Sequence, residues 1–295
     1  MSDVTNAQMT VSAVVEQLIE SLSAAGIDAP RALATDVIAA LLEVPRSWPS
    51  ANRNVTLDSG IVGSANRAGV MIAKGAPLAY AVGSACFRHL NLVVDERVLI
   101  PRPETEVLAG EVLERMEGLG VSSWGTAADI GTGSGAIALS LASEGKFDRV
   151  IATDASLDAL HVARKNAARC AGILKSVVDF RHGSLLAPLD GEKVCVLVSN
   201  PPYVAFSEAE SLPSSVRDWE PPLALFSGHD GMKATAEIVR NGARHLVRGG
   251  LLALEVDERR ASLVAELVMG HGEYTNVGVR LDLAGRERFV FASRV

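Results

Sequence analysis

The stretch Val194-Cys195-Val196-Leu197-Val198-Ser199-Asn200-Pro201-Pro202-Tyr203 passes from an apolar run into an amide, two prolines and an aromatic ring. A short apolar run of this kind reads as a buried strand. Proline cannot donate to a sheet ladder, so the strand stops at the prolines. The residue before a proline is pushed toward extended backbone, which stiffens both Asn200 and Pro201. The result is a rigid turn at the carboxyl end of a strand, where open α/β sheets bind their ligands.

The residue types in that turn suit one chemistry. An NH2 group attached to a π system is a poor nucleophile because its lone pair is delocalised. Accepting hydrogen bonds from both N–H groups returns electron density to the nitrogen. The Asn200 side-chain oxygen is one such acceptor, and Pro201 keeps its carbonyl as another. Tyr203 offers a flat face for a planar amide or base. The bland alternative is a plain loop after a strand.

A second unit lies upstream. Ala127-Ala128-Asp129-Ile130 ends a strand, Gly131-Thr132-Gly133-Ser134-Gly135 follows, and Ala136 to Ala142 reads as a helix. The glycines let the backbone pass close to a ligand without a Cβ clash. A second strand, Val150 to Thr153, ends in Asp154, 19 residues beyond Gly135 (154 − 135). An acid at that place is set to bind ribose hydroxyls. A nicotinamide dinucleotide is the usual ligand of such a βαβ unit. Here the spacing is G-x-G-x-G with a preceding acid, which suits S-adenosylmethionine, a ligand with no pyrophosphate to cradle.

The alternation continues. Leu157 to Ala171 is expected as a helix, Val177 to Phe180 as a third strand before Gly183-Ser184-Leu185, and the Asn-Pro-Pro-Tyr strand as the fourth. In a doubly wound sheet the first and fourth strands are neighbours at the switch point, so the glycine loop and Asn200 should flank one crevice. Residues 204 to 230 form a long irregular stretch rich in acids, Ser and Pro, which reads as a lid or as disorder. A helix over Met232 to Leu246, a turn at Gly249-Gly250, a strand over Leu251 to Val256, a helix from Arg260 to Met269 and a last strand over Arg286 to Ser293 complete the pattern. That last strand is expected as an antiparallel edge.

The N-terminal part reads as a small helical bundle: a helix through Val11, Val14, Val15, Leu18, Ile19 and Leu22 that stops at Gly26, a second opened by Pro30, and a third near Ile61 to Ala73. Phe87 to Ile100 is expected to hold two strands, Asn91 to Val94 and Arg97 to Ile100, at a domain junction. Pro101-Arg102-Pro103-Glu104-Thr105-Glu106 then opens a helix, with its acids in the first turn. Arg102, held between prolines, is either part of a linker or a gate beside the ligand pocket.

With 295 residues, 48% hydrophobic and 21% charged, the chain is expected to fold into one large or two smaller packed domains. A formal net charge of −7 argues against a nucleic-acid backbone as the main partner. Three scattered cysteines, Cys86, Cys170 and Cys195, without C-x-x-C spacing, suit a reduced cytoplasmic protein. No metal-ligand spacing is seen, Met1 to Asn6 lack the features of a signal peptide, and no apolar run is long enough to span a membrane.

The chain resembles the release-factor glutamine N5-methyltransferases of the HemK type. Pro77-Leu78-Ala79-Tyr80, Val98-Leu99-Ile100-Pro101-Arg102-Pro103-Glu104-Thr105-Glu106, Asp129 to Gly135, Val198 to Tyr203, Glu220-Pro221 through Ala224-Leu225, and Asp230-Gly231 carry the likeness, which covers nearly the whole chain. The Ile-Pro-Arg-Pro-Glu-Thr-Glu string discriminates best. Ribosomal-protein glutamine methyltransferases differ there, and adenine methyltransferases with Asn-Pro-Pro-Tyr lack it.

The resemblance implies an α/β, class I S-adenosylmethionine-dependent methyltransferase, Rossmann-like, with a mostly parallel seven-stranded sheet, a small N-terminal helical bundle and a β-hairpin linker. The implied boundaries are 1–84 for a helical substrate-recognition domain, 85–100 for the hairpin and 101–295 for the methyltransferase domain. The implied substrate is the glutamine of the Gly-Gly-Gln motif of peptide chain release factors. The donor is S-adenosyl-L-methionine and the product S-adenosyl-L-homocysteine. By position, Gly131, Thr132, Gly133, Ser134, Gly135, Asp154, Leu185 and Asn200 bind the donor. Asn200, Pro201, Pro202 and Tyr203 hold the glutamine amide, with Asn200, Pro201 and Tyr203 as the catalytic set and no metal. Ser184 stands where the family often has an acid beside the adenine. A monomer acting on protein, with no nucleic-acid or membrane partner, is expected. The alternatives are another protein glutamine, a nucleic-acid exocyclic amine, or a non-catalytic binding module on the same fold.

Overall fold

The computed structural model describes residues 9–295; the Met1 to Asn6 stretch read above for a leader lies outside them. The described chain forms two compact units. The first comprises the residues through Ser84 together with Pro213–Trp219, and the second comprises Ala85–Leu212 and Glu220–Val295. Pro213–Trp219, inside the 101–295 range expected for the larger domain, thus belongs to the first unit, where Trp219 lies beside Gly75.

In the first unit, α1 (Val11–Ala24), α2 (Pro30–Leu41) and α4 (Ser59–Ala73) form the bundle, with the short helices α3 (Trp48–Ala51) and α5 (Leu78–Val82). The Thr10 side chain caps α1 and Asp58 caps α4 through the Ile61 N–H at 3.0 Å. Val14, Leu18 and Leu22, part of the stripe read from the sequence, are buried together with Val37, Ile38, Ala65 and Ala68. Gly69 lets α4 approach α1 closely, since a Cβ there would sit 2.8 Å from the Leu18 side chain. Strands β1 (Met9–Thr10) and β2 (Thr56–Leu57) form a two-residue antiparallel ladder that the sequence reading did not anticipate.

In the second unit, a hairpin of β3 (Ser84–Phe87) and β4 (Leu90–Val93) precedes α6 (Pro103–Glu117). This corrects the expected strand pair: Arg97 to Ile100 forms no strand. Asp95 turns the chain instead, accepting from the Arg97 N–H through its side chain at 3.2 Å and from the Val98 N–H through its carbonyl at 3.1 Å. Arg88, at φ 52°, supplies the hairpin turn and forks onto both Glu144 oxygens at 2.6 Å.

The remaining elements alternate. They are β5 (Thr126–Ile130), α7 (Ala136–Glu144), β6 (Arg149–Asp154), α8 (Leu157–Arg169), β7 (Val177–His182), β8 (Val194–Ser199), α9 (Ser214–Arg217), α10 (Pro222–Leu225), α11 (Lys233–Gly242), β9 (Leu246–Glu255), α12 (Ala261–Gly270), β10 (Tyr274–Leu281) and β11 (Glu287–Arg294). Seven strands make one sheet in the order β10-β11-β9-β8-β5-β6-β7. It is parallel from β7 through β9, and β11 pairs antiparallel to both β9 and β10. The last strand is antiparallel as expected but lies inside the sheet; the edge is β10, which the sequence reading missed.

Both faces of β8 are covered. Val196 and Val198 pack with Leu108, Val112, Ile137 and Leu141 of α6 and α7, while Leu197 packs with Ile238, Val239 and Val264 of α11 and α12. This double burial is why the strand is apolar without alternation. Gly249 and Gly250, expected as a turn, lie within β9, where the register with β8 slips between Val194 and Val196 and Gly249 takes φ 76°. Among the described residues no helix is long and apolar enough to cross a membrane.

Candidate active site

The sheet register assembles the site. Ile130 of β5 is level with Ser199 of β8 and Thr153 of β6, and Ser199 is level with Leu254 of β9. The next residue on each strand, Gly131, Asn200, Asp154 and Glu255, therefore stands at one carboxyl edge. The Ser199 hydroxyl donates to the Ile130 carbonyl at 2.7 Å and locks the two central strands at that level.

A cavity of about 480 Å³ opens here. Gly131, Gly133, Asp154, Leu185 and Asn200 line it, together with Ser184, Pro202, Leu99 and the apolar Phe206 and Phe226. Thr132, Ser134, Gly135, Pro201 and Tyr203 do not line it. Thr132 is turned inward, its hydroxyl donating to Asp129 at 2.6 Å, and the Ser134 carbonyl accepts from the Asn166 side chain at 2.9 Å. These residues shape the loop rather than its exposed face. Asn166 also bonds both backbone groups of Val93, at 2.7 and 2.9 Å, and so ties the hairpin to the glycine loop. The sequence reading did not single out Asn166.

The hydrogen bonds of the glycine loop decide what it can hold. The Gly131 and Thr132 N–H groups both donate to the Thr153 carbonyl, Gly133 to Asp154 Oδ2 and Gly135 to the Thr132 carbonyl. With these donors used internally, the loop is not a nest for a pyrophosphate. Gly131 and Gly133 take φ 73° and 56°, and nothing lies within 4 Å of where a Cβ would stand on either. That open space beside the backbone, with a carboxylate at its end, fits an uncharged ribose and a sulfonium better than a dinucleotide. Asp154 accepts from Gly133 and, through Oδ1, from the Ser156 N–H at 2.8 Å, and keeps a lone pair on each oxygen. Burial pushes its carboxyl above the ordinary range. Asp129, fully buried beneath the loop, is pushed up by burial to about 7.

Asn200 is held from α6. Its Nδ2 donates to Thr105 Oγ1 at 3.0 Å, and the Thr105 hydroxyl donates to Glu255 Oε2 at 2.7 Å. The turn behind it is fixed by Gly231: at φ 75°, a Cβ there would stand 2.3 Å from the Tyr203 carbonyl oxygen. Burial pushes the Tyr203 hydroxyl up to about 12. The stretch 204–230 is built of short helical turns. Glu208 bonds the Ala205 N–H at 3.0 Å and Arg260 at 2.8 Å, and buried Glu220 takes Arg102 at 2.6 Å. Arg102 thus holds a neighbouring segment and does not line the cavity.

Comparisons with known proteins bear on this geometry. A family profile described as "Methyltransferase small domain" matches residues 109–212. The chain is 39% identical, over 286 residues, to a release factor glutamine methyltransferase of Moorella thermoacetica, covering 97% of this chain and 99% of that protein. The chain belongs to the release factor glutamine methyltransferase family. A second member, from Mycolicibacterium smegmatis, is 41% identical over 223 residues, 76% of each chain. A solved methyltransferase from Pyrococcus furiosus shares the fold at a TM-score of 0.50 and 16% identity, over 70% of this chain and 89% of that one. As a release factor glutamine methyltransferase family member the protein is an enzyme with a class I methyltransferase fold.

Proposed function

We propose that this enzyme transfers the methyl group of S-adenosyl-L-methionine to the side-chain amide N5 of the glutamine in the Gly-Gly-Gln motif of peptide chain release factors. The observation that carries the reading is Asn200, whose amide is pinned by Thr105 at 3.0 Å where β8 meets the glycine loop. Gly131, Gly133, Asp154 and Leu185 hold the donor, with Thr132, Ser134 and Gly135 shaping the loop that presents it. When bound, the donor supplies an electrophilic methyl group on a sulfonium sulfur. Asn200 Oδ1 and the Pro201 carbonyl accept from the two N–H groups of the glutamine amide. This localises the lone pair on nitrogen and aims it at the cavity. Pro202 and Tyr203 confine the amide plane. The nitrogen forms its new C–N bond as the C–S bond breaks and the bonding pair returns to sulfur. One N–H proton then leaves to solvent. Positioning of this kind can contribute ~7–11 kcal/mol, so no strong base is required.

Ser184 lines the cavity where the resemblance leads one to expect an acid, leaving Leu185 as the adenine-side contact. On this reading the protein acts as a cytoplasmic monomer on a protein substrate. Its net charge of −7 disfavours a nucleic-acid substrate. The test uses radiolabelled S-adenosylmethionine with purified release factor, wild type and with its Gly-Gly-Gln glutamine changed to alanine. Label on the wild-type factor alone is expected. Label on neither, with donor binding intact, refutes the substrate.

A further inference from the structure

Glu255 is buried, at 1% exposure, at the end of a central strand where an aliphatic side chain would pack. Thr105, 5% exposed, sits in the first turn of α6, 150 residues away in sequence, and its hydroxyl donates to Glu255 Oε2 at 2.7 Å. Neither lines the cavity, yet Thr105 touches the Asn200 amide of the Asn-Pro-Pro-Tyr turn.

Above about pH 7, where Glu255 is ionised, the direction of the hydrogen bonds is determined. An ionised carboxylate only accepts, and a threonine hydroxyl has a single hydrogen. At 2.7 Å from Glu255 Oε2, that hydrogen belongs to the Thr105–Glu255 bond. The Thr105 oxygen then has only lone pairs to offer Asn200. Asn200 must turn its NH2 group toward α6, and its Oδ1 is left as the free acceptor. Rotating the Asn200 amide by half a turn would set two oxygens against each other. An asparagine on a loop has no such preference of its own, because its two ends are alike in shape and opposite in hydrogen bonding.

We propose that Thr105 and Glu255 are positioning residues that fix the amide orientation of Asn200, so that its oxygen and not its nitrogen meets the methyl-accepting NH2 group. The inference rests on the reading of Asn200 as the holder of the glutamine amide. Burial raises the Glu255 carboxyl and Glu104 adds to the rise, while the Thr105 hydrogen bond, Arg288 and Arg102 favour its ionised form. Thr105→Val keeps the shape of the side chain and removes the hydroxyl. Thr105→Ser restores it. Glu255→Gln allows the chain to reverse: the new amide donates to Thr105, the hydroxyl turns to Asn200, and Asn200 presents its nitrogen.

The experiment uses the full chain, radiolabelled donor and release factor at pH ~8.5, where Glu255 is ionised, and measures kcat, KM for the factor and donor Kd by calorimetry. For Thr105→Val and Glu255→Gln, kcat is expected to fall ~10- to 100-fold, the range of a misplaced catalytic group, with donor Kd within about 2-fold of wild type. Thr105→Ser should return kcat to within about 3-fold of wild type. If Thr105→Val does not fold, Thr105→Ser and Glu255→Gln decide alone on the same terms. Wild-type kcat in Thr105→Val or Glu255→Gln, with an active wild-type enzyme, overturns the inference and leaves the functional reading standing. Donor affinity lost in step with kcat makes the pair a support of the cavity and also overturns it. A wild-type enzyme that labels no release factor overturns the functional reading itself, and the inference with it.

Discussion

Asp154→Asn should separate the donor site from the fold. In the native protein each carboxylate oxygen already accepts a backbone N–H, from Gly133 at 2.9 Å and from Ser156 at 2.8 Å. Asp154 lines the cavity, and its oxygens keep acceptor capacity for a ribose hydroxyl. Asparagine has the same shape but a single oxygen. Whichever way it turns, its NH2 group meets a backbone N–H that cannot accept. One charge-assisted bond to a hydroxyl is lost as well. Bonds to charged groups contribute ~1.5–3 kcal/mol, and an unmatched donor adds to the loss. The sum is ~2–4 kcal/mol, a weakening of donor affinity by ~30- to 1,000-fold. The assay is calorimetric titration with S-adenosylhomocysteine, with thermal melting to verify the fold. A dissociation constant within about 2-fold of wild type in a normally melting variant refutes the assignment of Asp154 and the argument that the loop is built around it.

Arg102→Ala should remove the cation paired with Glu220, whose side chain is 1% exposed. The expected destabilisation is ~3–5 kcal/mol in urea unfolding, largely recovered by adding Glu220→Gln. Full stability in the single variant contradicts a buried ion pair. Stability should also depend on pH through Glu255, whose carboxyl is raised by burial from 4.5 to about 7. The folded state then holds the proton more tightly than the unfolded one. This contribution is fully present below about 4.5 and is lost as pH rises through about 7, a change of roughly 3 kcal/mol. Urea midpoints at both ends of the window should show a smaller fall in Glu255→Gln. Gly231→Ala should reduce kcat and melting temperature together, since the added Cβ would stand 2.3 Å from the Tyr203 carbonyl oxygen. An unchanged variant would show that the turn has room to shift.

The parallel sheet and the crevice were legible because buried strands and helices differ in period. The glycine loop and the Asn-Pro-Pro-Tyr turn were legible because each departs from any regular element. What was not legible depended on long-range pairing. Val98-Leu99-Ile100 is as apolar as a strand, and only the bonds of Asp95 and the flanking prolines keep it out of the hairpin. Strand β10 is largely exposed, so it lacks an apolar signal, and Asn276, at φ 53°, falls where its register with β11 shifts. Gly249-Gly250 imitates a turn because a bulged strand needs the same backbone freedom. The glycine-loop spacing and the strand-end motif pointed to Gly131, Gly133, Asp154 and Asn200, and all four line the cavity. Thr105 and Glu255 could not be paired that way, because only the register that sets Leu254 beside Ser199 brings Glu255 to the same edge as Asn200.

The placement of β11 has a consequence for how the molecule can be made. It is the last strand in chain order, yet it lies between β9 and β10 and pairs with both. While a growing chain lacks it, β10 has no ladder to join, and β9 presents an open row of N–H and C=O groups beside Leu252 and Leu254. Such an edge is a template for pairing with another chain. The half of the sheet that holds the glycine loop and Asn200 can order as it is synthesised. The other half waits for β11, so a chain interrupted before that strand carries an unpaired, aggregation-prone edge on β9.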